Sequence, residues 1–357
     1  MGYKLAGFNV LGANEIDPRM ADLYVRNHHP KYMYVEPIQT FKLRNDLPPE
    51  LYNLDILDGS PPCSSFSMAG SRERQWGVEK VFREGQAKQV LDTLFFDFID
   101  LARKLQPKVV IAENVKGMLH GRAMEYVHRV LAEFESAGYA VNYKVLNAQD
   151  LGVPQHRQRV FFYAIRKDLV YPREGFGTKP LLELGMKQKP IMFENLYIPG
   201  RNDQQPMKHQ VIYGYWKKRK RTDGSFGDIT LRINGKASGY TRALIHKDRV
   251  APCMVACGLE VLYDEFRHMN RSEACCAGTF PQDYDFGKQP YLYVIGMSVP
   301  PFMTRYMADE MYKQVLSKNK HLGWPKAIQA IGTAAERALV WIRRKPKWLN
   351  RPVNWAR

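Results

Sequence analysis

One cysteine stands on a short, stiff loop directly after a predicted strand. Residues 54–57 form an apolar, strand-like run, and residues 59–63 read Gly-Ser-Pro-Pro-Cys, ending at Cys63. Two successive prolines fix φ and remove two backbone donors, so the loop presents the thiol rigidly. A thiol held at a set angle suits a nucleophile. A small, inert cysteine at a turn is an equally acceptable interpretation of this segment alone.

A carboxylate follows a second predicted strand fifty residues later. Residues 109–112 read Val-Val-Ile-Ala and are followed by Glu113, which predicts a buried parallel strand with Glu113 at its carboxyl end. Ligands of open α/β sheets bind beyond the carboxyl ends of strands, so Cys63 and Glu113 are expected to face one crevice. A carboxyl group there can hydrogen-bond a heteroaromatic ring nitrogen and prepare the ring for attack by the thiol. A turn or capping glutamate is the alternative.

A polar segment with two arginines precedes a third predicted strand. Residues 155–159 read Gln-His-Arg-Gln-Arg, and the strand-like run 160–165 follows. Period-two alternation places Gln155, Arg157 and Arg159 on the same side. Guanidinium groups suit recognition of phosphate or carbonyl oxygen because the planar fork offers paired donors. A solvated strand edge remains the ordinary alternative.

In this order, the three segments resemble motifs of the cytosine-C5 DNA methyltransferase family. Residues 14–18, 91–98, 267–284 and 296–301 are similar to further motifs, so the resemblance spans roughly residues 1–316. It implies that Cys63 adds to C6 of a flipped-out cytosine and that Glu113 holds N3 and the exocyclic amine. S-adenosylmethionine would supply the methyl group for C5. Arg157 and Arg159 would hold the base carbonyl, the adjacent phosphate or the catalytic loop, and these roles stay open.

The resemblance also implies a cofactor site, although one family motif is not found. The predicted cofactor-binding residues are Glu15, Ile16, Glu36, Pro62, Leu94 and Ser298. The family's Phe-x-Gly-x-Gly-Gly segment does not occur in these 357 residues, and residues 1–8 resemble the helix that normally follows it. A start at an internal methionine, a second polypeptide supplying the first strand, and a degenerate relative are competing explanations. We therefore expect weak S-adenosylmethionine affinity and little turnover.

The charge of the chain favours a polyanionic partner, and we predict double-stranded DNA. Fifty-three Lys and Arg against 36 Asp and Glu leave a formal net charge of +17. Residues 201–249 hold twelve Lys or Arg against four Asp. The predicted DNA-contacting residues are Gln155 and the run Lys217, Lys218, Arg219, Lys220 and Arg221. For the run, a solvated hairpin tip is the alternative.

These features predict a doubly wound, Rossmann-like α/β sheet without its first strand, together with a smaller β-rich domain. The catalytic domain would comprise residues 1–169 and 285–316, and the target-recognition domain residues 170–284. Within the latter, residues 210–213 resemble a strand and residues 223–224 a hairpin turn. Residues 317–357 are predicted to form a helical, basic extension.

Cysteine usage and hydropathy narrow the remaining possibilities. Five cysteines without disulfide-framework spacing indicate a reducing compartment, and the spacings of the last four do not predict a zinc site. The absence of a long apolar run and of a signal-peptide pattern predicts a soluble, cytoplasmic protein, associated with the nucleoid if bacterial or phage-encoded. A restriction-modification role fits the family. The rival functions are a tRNA cytosine-C5 methyltransferase and a catalytically silent DNA-binding relative.

Overall fold

The structure is a computed structural model, and it describes residues 1–61, 79–80, 89–90, 93–121, 123–170, 181–200, 210–236, 242–256 and 260–318. Pro62, Cys63 and all but the first two residues of the predicted extension 317–357 lie outside these ranges. The α-helices are α1 (Gly2–Leu5), α2 (Pro18–His28), α3 (Ile38–Phe41), α4 (Leu94–Leu105), α5 (Ala123–Ser136), α6 (Lys167–Val170), α7 (Gln210–Lys217), α8 (Phe226–Asn234), α9 (Arg271–Ala277), α10 (Tyr291–Met297) and α11 (Pro301–Gln314). The strands are β1 (Gly12–Asn14), β2 (Tyr32–Tyr34), β3 (Ile56–Gly59), β4 (Glu79–Lys80), β5 (Gln89–Val90), β6 (Val109–Val115), β7 (Tyr139–Asn147), β8 (Gln158–Arg166), β9 (Leu244–Ile245) and β10 (Val261–Leu262).

A mixed four-stranded sheet forms the centre of the fold. Its strand order is β3-β6-β8-β7, with β3 parallel to β6 and β8 antiparallel to both of its neighbours. The predicted buried strand ending at Glu113 is therefore confirmed as β6, and its parallel partner is β3. Strands β1 and β2 form a separate parallel pair.

Helices cover both faces of this sheet. The residues of β6 accordingly alternate between two cores. Val110 and Ala112 pack in one core with residues of α4 and α5, including Phe95 and Phe134. Val109 and Ile111 pack in the other with the methionine-rich face of α11. A strand buried on both faces must be apolar throughout, as β6 is before Glu113. The result is the α/β class predicted from sequence.

Helix α2 begins where the sequence favours a helix start. Pro18 occupies the first helical position, where its missing N–H is not needed, and the Asp17 side chain accepts a hydrogen bond from the Arg19 amide at 2.9 Å. This cap fixes the residue at which α2 begins after β1 and the turn that follows it. Glu15 and Ile16 are thereby held between a strand end and a helix start.

The prediction of a β-rich region was wrong for residues 210–236. Residues 210–213 belong to α7, and residues 223–224 precede α8 instead of forming a hairpin. Ser225 caps α8 by accepting from the Asp228 amide at 3.2 Å. Ile212, Phe226 and Ile229 join a small core with residues of β9 and β10. A four-residue window is too short to distinguish helical from strand periodicity, and this long-range core selects the helix.

In the described part of the chain, no helix is both long and apolar enough to cross a membrane. The same residues contain no cluster of three or more His, Cys, Asp or Glu side chains arranged to hold a metal ion.

Candidate active site and cofactor cavity

Glu113 lies buried near the carboxyl end of β6, and one arginine from the neighbouring strand pairs with it. In the antiparallel register, Arg159 of β8 lies opposite Val115 of β6. Glu113 is two residues from Val115 on the same strand, so the Arg159 side chain can reach it. The Arg159 Nε and the Glu113 Oε1 are 3.0 Å apart. Burial raises the pKa of Glu113, and the charges of Arg159 and Arg157 oppose that rise. The site therefore holds a carboxyl group with an increased tendency to keep its proton.

The strand end that carries Glu113 also fixes the beginning of the cysteine loop. The Asn114 Nδ2 donates to the Pro61 carbonyl at 3.1 Å. The Ser60 side chain is hydrogen-bonded to Glu113, which opposes the rise of the Glu113 pKa. Glu113 and Asn114 thus bind the loop three and two residues before Cys63, a residue that lies outside the described ranges.

Arg157 and Gln155 are both buried, and both contact the backbone of Met254. The Arg157 Nη1 donates to the Met254 carbonyl at 2.9 Å, and Nη2 donates to the Gly296 carbonyl at 3.0 Å. The Gln155 Oε1 accepts from the Met254 amide, and its Nε2 donates to the Ala277 carbonyl. The predicted DNA contact by Gln155 needs correction, because a side chain only 1% exposed with both ends bonded to protein does not reach a DNA surface.

Replacing Arg157 tests how much its hydrogen bonds contribute to the stability of the fold. Arg157→Ala is expected to lower the free energy of unfolding by about 2–4 kcal/mol, because two buried carbonyl groups lose their donors. Arg157→Lys should recover only part of the loss, since an ammonium group lacks the planar fork. Urea unfolding measures both. Arg26→Ala is the control, because that arginine is exposed and should matter far less. Equal losses for Arg26→Ala and Arg157→Ala would contradict the prediction.

A large cavity lies beside β3, at the edge of the four-stranded sheet. Its volume is about 770 Å³, and residues of β1, β3, α4 and the segments around them line it. Four predicted cofactor residues are among the lining: Glu15, Ile16, Glu36 and Leu94. Ser298 is not part of the described lining, and its hydroxyl donates to the Val294 carbonyl at 2.7 Å. Four of the six residues predicted to bind the cofactor thus line one cavity, whereas Ser298 does not and Pro62 lies outside the described residues.

The two glutamates of the cavity stand at neighbouring strand ends. Asn14 holds these ends together by donating through Nδ2 to the carbonyls of Tyr34 and Glu36 at 3.2 and 2.8 Å. The Glu15 Oε1 accepts from the Asp17 amide at 2.9 Å, and burial raises the pKa of Glu15. The Glu36 Oε1 pairs with the Arg44 Nη1 at 3.0 Å. Two fixed carboxyl groups beside apolar Ile16 fit the hydroxyls and base of a nucleoside.

Sequence reasoning missed a polar pair at the end of β3. The Tyr3 hydroxyl donates to the Asp58 Oδ1 at 2.7 Å. Asp58 lines the cavity, where desolvation raises its pKa to about 6, while the hydrogen bond from Tyr3 opposes this rise. The available signal was its position, since Asp58 directly follows the apolar run 54–57.

The basic run 217–221 divides into held and exposed cations. Arg219 stacks over the rings of Trp216 and Tyr263, with its guanidinium carbon 3.5 and 4.8 Å from their centroids, and donates to the Tyr263 carbonyl. Arg221 is exposed and pairs with Asp248. Lys217, Lys218 and Lys220 are exposed as well. Arg219 therefore has a structural role, while the exposed lysines remain predicted DNA contacts.

A double substitution measures the DNA contribution of the exposed lysines. If Lys218 and Lys220 each neutralise one phosphate, Lys218→Gln with Lys220→Gln should reduce the slope of log affinity against log salt by about 1.8. Fluorescence anisotropy with duplex DNA across a salt series gives the slope. Lys187→Gln with Lys189→Gln is the matched control at exposed positions outside the run. An unchanged slope in the first pair would exclude those lysines from the interface.

The fold and this constellation agree with a family match over most of the chain. Residues 1–313 match the family described as C-5 cytosine-specific DNA methylase. The chain belongs to this family.

The relatives agree with this membership, and a solved structure is similar in fold. Type II methyltransferase M.FnuDI of Fusobacterium nucleatum is 40% identical over 47% of this chain, and the chain covers 44% of it, less than half its length. Type II methyltransferase M.MthTI of Methanothermobacter thermautotrophicus is 31% identical over 88% of this chain and 94% of that protein. The crystal structure of a putative DNA modification methyltransferase from an E. coli prophage is similar in fold, with a TM-score of 0.59, 19% identity, and coverage of 88% of this chain and 94% of that one.

Proposed function

We propose that this protein methylates C5 of a cytosine in double-stranded DNA, with S-adenosylmethionine as methyl donor. One observation carries the proposal: the buried carboxyl of Glu113, paired with Arg159, belongs to the strand end that binds Ser60 and Pro61 at the start of the cysteine loop. Cys63 follows Pro61 by two residues along the chain. A thiol and a proton-holding carboxyl group then serve one substrate ring.

Each residue of the site has a distinct task in the proposed reaction. The Cys63 thiolate adds to C6 of the cytosine, and Glu113 donates its proton toward N3 while accepting from the exocyclic amine. Arg159 holds Glu113 in place through its Nε. S-adenosylmethionine, when bound, supplies an electrophilic methyl group. Loss of the C5 proton to solvent, return of the N3 proton to Glu113 and departure of the thiolate from C6 then restore the aromatic ring.

The cavity fits the proposed cofactor. The carboxyl groups of Glu15 and Glu36 would accept hydrogen bonds from ribose hydroxyls, and Ile16 would pack against the adenine. The side chain of Leu94, at the start of α4, lines the same space. Because C6 of a stacked cytosine is inaccessible, the base must leave the duplex, which costs a few kcal/mol. The net charge of +17 supports binding of the DNA backbone.

Methyl transfer from tritiated S-adenosylmethionine tests the substrate class. The expected product is 5-methylcytosine in a duplex that contains all short sequence contexts, with much less label in a transfer RNA transcript. Preferential labelling of the transcript would favour the RNA alternative. DNA binding without any label in either substrate, at saturating cofactor, would favour the catalytically silent alternative. The family membership and the Glu113–Arg159 pair support the enzyme instead.

A further inference from the structure

Helix α7 presents one exposed face in the basic region 201–249. This face consists of Gln210, Tyr213, Gly214 and Lys217, and their spacing of i, i+3, i+4 and i+7 places them side by side on a helix. Each of these residues is exposed. Together they are termed the α7 face. The face combines an amide, a phenol, an uncovered stretch of backbone and an ammonium group, and α7 contains no Asp or Glu.

The opposite side of α7 is fixed by packing. Ile212 is fully buried in a core with Phe226 of α8 and Val261 of β10. The Trp216 Nε1 donates to the Leu262 carbonyl at 2.9 Å. The backbone of α7 is therefore held in position by the rest of the chain, so a partner that binds the α7 face does not have to order it first.

The largest side chain of the α7 face is held in place as well. The Tyr213 ring centroid lies 5.9 Å from that of Trp216 and 4.9 Å from that of Phe266. The Lys217 Nζ lies 4.5 Å from the centroid of the Tyr213 ring. Tyr213 still keeps 39% of its surface exposed. A rigid, half-exposed aromatic ring beside a cation is a surface prepared for contact.

Gly214 is not explained by the interior of the protein. A Cβ added there would meet no described atom within 4 Å beyond the helix's own backbone. Its φ is not one of the positive values that favour glycine. Glycine inside a helix is destabilising relative to alanine, but it allows an external surface to approach the backbone closely. Gly214 therefore indicates that a partner comes close to α7 at the centre of the exposed face.

Charge and shape select duplex DNA as this partner. Lys217 lies on the α7 face, and the exposed Lys218 and Lys220 follow it closely. Cations that surround a polar face suit a phosphate backbone. The major groove of B-DNA is about 12 Å wide and admits an α-helix, whereas side chains cannot read the deep, narrow major groove of A-form RNA. A helical reading element therefore favours DNA over RNA.

We propose that the α7 face enters the major groove of the DNA duplex and reads an A·T pair near the target cytosine through Gln210. The inference takes its partner, duplex DNA, from the proposed function. A glutamine amide can accept from N6 and donate to N7 of adenine at once, which distinguishes adenine from the other bases. Gly214 lets the groove edge approach the helix, and Lys217 contacts a phosphate. The sequence context of the methylated cytosine is thus determined in part by α7.

The first test measures DNA binding without methyl transfer. The unsubstituted chain enriches duplexes from a random-sequence pool, and fluorescence anisotropy gives their affinity. Gly214→Leu should lower this affinity at least about tenfold, because the new side chain occupies the space of the groove edge. Its melting temperature should stay or rise, since leucine favours helix more than glycine does. Gly185→Leu is the matched control: Gly185 is exposed with open space around an added Cβ, lies outside α7, and should change affinity by less than about twofold.

The second test measures which base pair α7 reads. The enriched duplexes should share an A·T pair, and Gln210→Ala should reduce the preference for A·T over G·C at that position by about tenfold. Preferences at the other positions should remain. Val211→Ala is the control, because Val211 is the next residue of α7 and is 55% exposed but lies off the α7 face. It should leave every preference unchanged.

The remaining outcomes overturn the proposal. Equal affinities for the Gly214→Leu and Gly185→Leu chains would show that DNA does not approach α7. An unchanged A·T preference in Gln210→Ala would remove Gln210 from recognition. Preferential enrichment from a pool of RNA hairpins would exclude DNA as the partner. Binding alone is read throughout, so a chain that binds as expected but transfers no methyl group would contradict the proposed function while supporting the assignment of the α7 face.

Discussion

Cys63→Ala is expected to abolish covalent capture of a 5-fluorocytosine duplex. In the proposed reaction, fluorine at C5 cannot be lost as a proton is, so the enzyme stays attached to C6 after methyl transfer. Capture is irreversible and accumulates even if turnover is slow. Removing the nucleophile should also reduce methyl transfer to normal duplex by about 10⁴-fold or more. Denaturing electrophoresis of chain, duplex and excess S-adenosylmethionine measures the adduct.

A second cysteine provides the control for this experiment. Cys276 is half-buried, its sulfur accepts from the Gln282 Nε2 at 3.2 Å, and burial raises the pKa of its thiol to about 11. A thiol with a raised pKa is a poor nucleophile near neutral pH. Cys276→Ser should therefore keep the adduct yield of the unsubstituted chain. An adduct formed equally by the Cys63→Ala chain would remove Cys63 from the mechanism.

Glu113→Gln is expected to slow methyl transfer by about 10²–10⁴-fold without preventing DNA binding. The amide has nearly the shape of the carboxylic acid and can still hydrogen-bond the base, but it cannot give a proton to N3. Single-turnover kinetics separate this loss from binding, which anisotropy follows in parallel. A rate within about twofold of the unsubstituted chain would show that Glu113 holds the base without proton transfer.

The pH profile gives a second readout for Glu113. Burial raises the pKa of this carboxyl from its ordinary value of 4.5. The protonated fraction, and with it the rate, should fall as pH rises through the folded-state pKa. Glu113→Gln should lose this limb of the profile. Linkage has the same direction: the contribution of Glu113 to stability is present below pH 4.5 and decreases as pH rises through the raised value.

Sequence reasoning was most successful where the signal was local and chemical. An apolar run with Glu113 at its end predicted β6, and the resemblance to the family's motifs predicted Glu15 and Glu36 as cofactor residues, which line the cavity. The prediction of β6 depends on periodicity within a few residues and on the rule that strand ends carry ligands. The order of the motifs was enough to predict the family, which the match over residues 1–313 confirmed.

The sequence by itself determined the chemical groups, their order along the chain and the strands that carry them. Only the tertiary structure decided which of these groups meet. It turned Gln155 inward, paired Arg159 with Glu113, and joined Tyr3 to Asp58 across 55 residues. It also selected helix for α7 and placed residues of β1, β3 and α4 around one cavity. Periodicity is a property of neighbouring residues, whereas these contacts follow from packing of distant segments into shared cores.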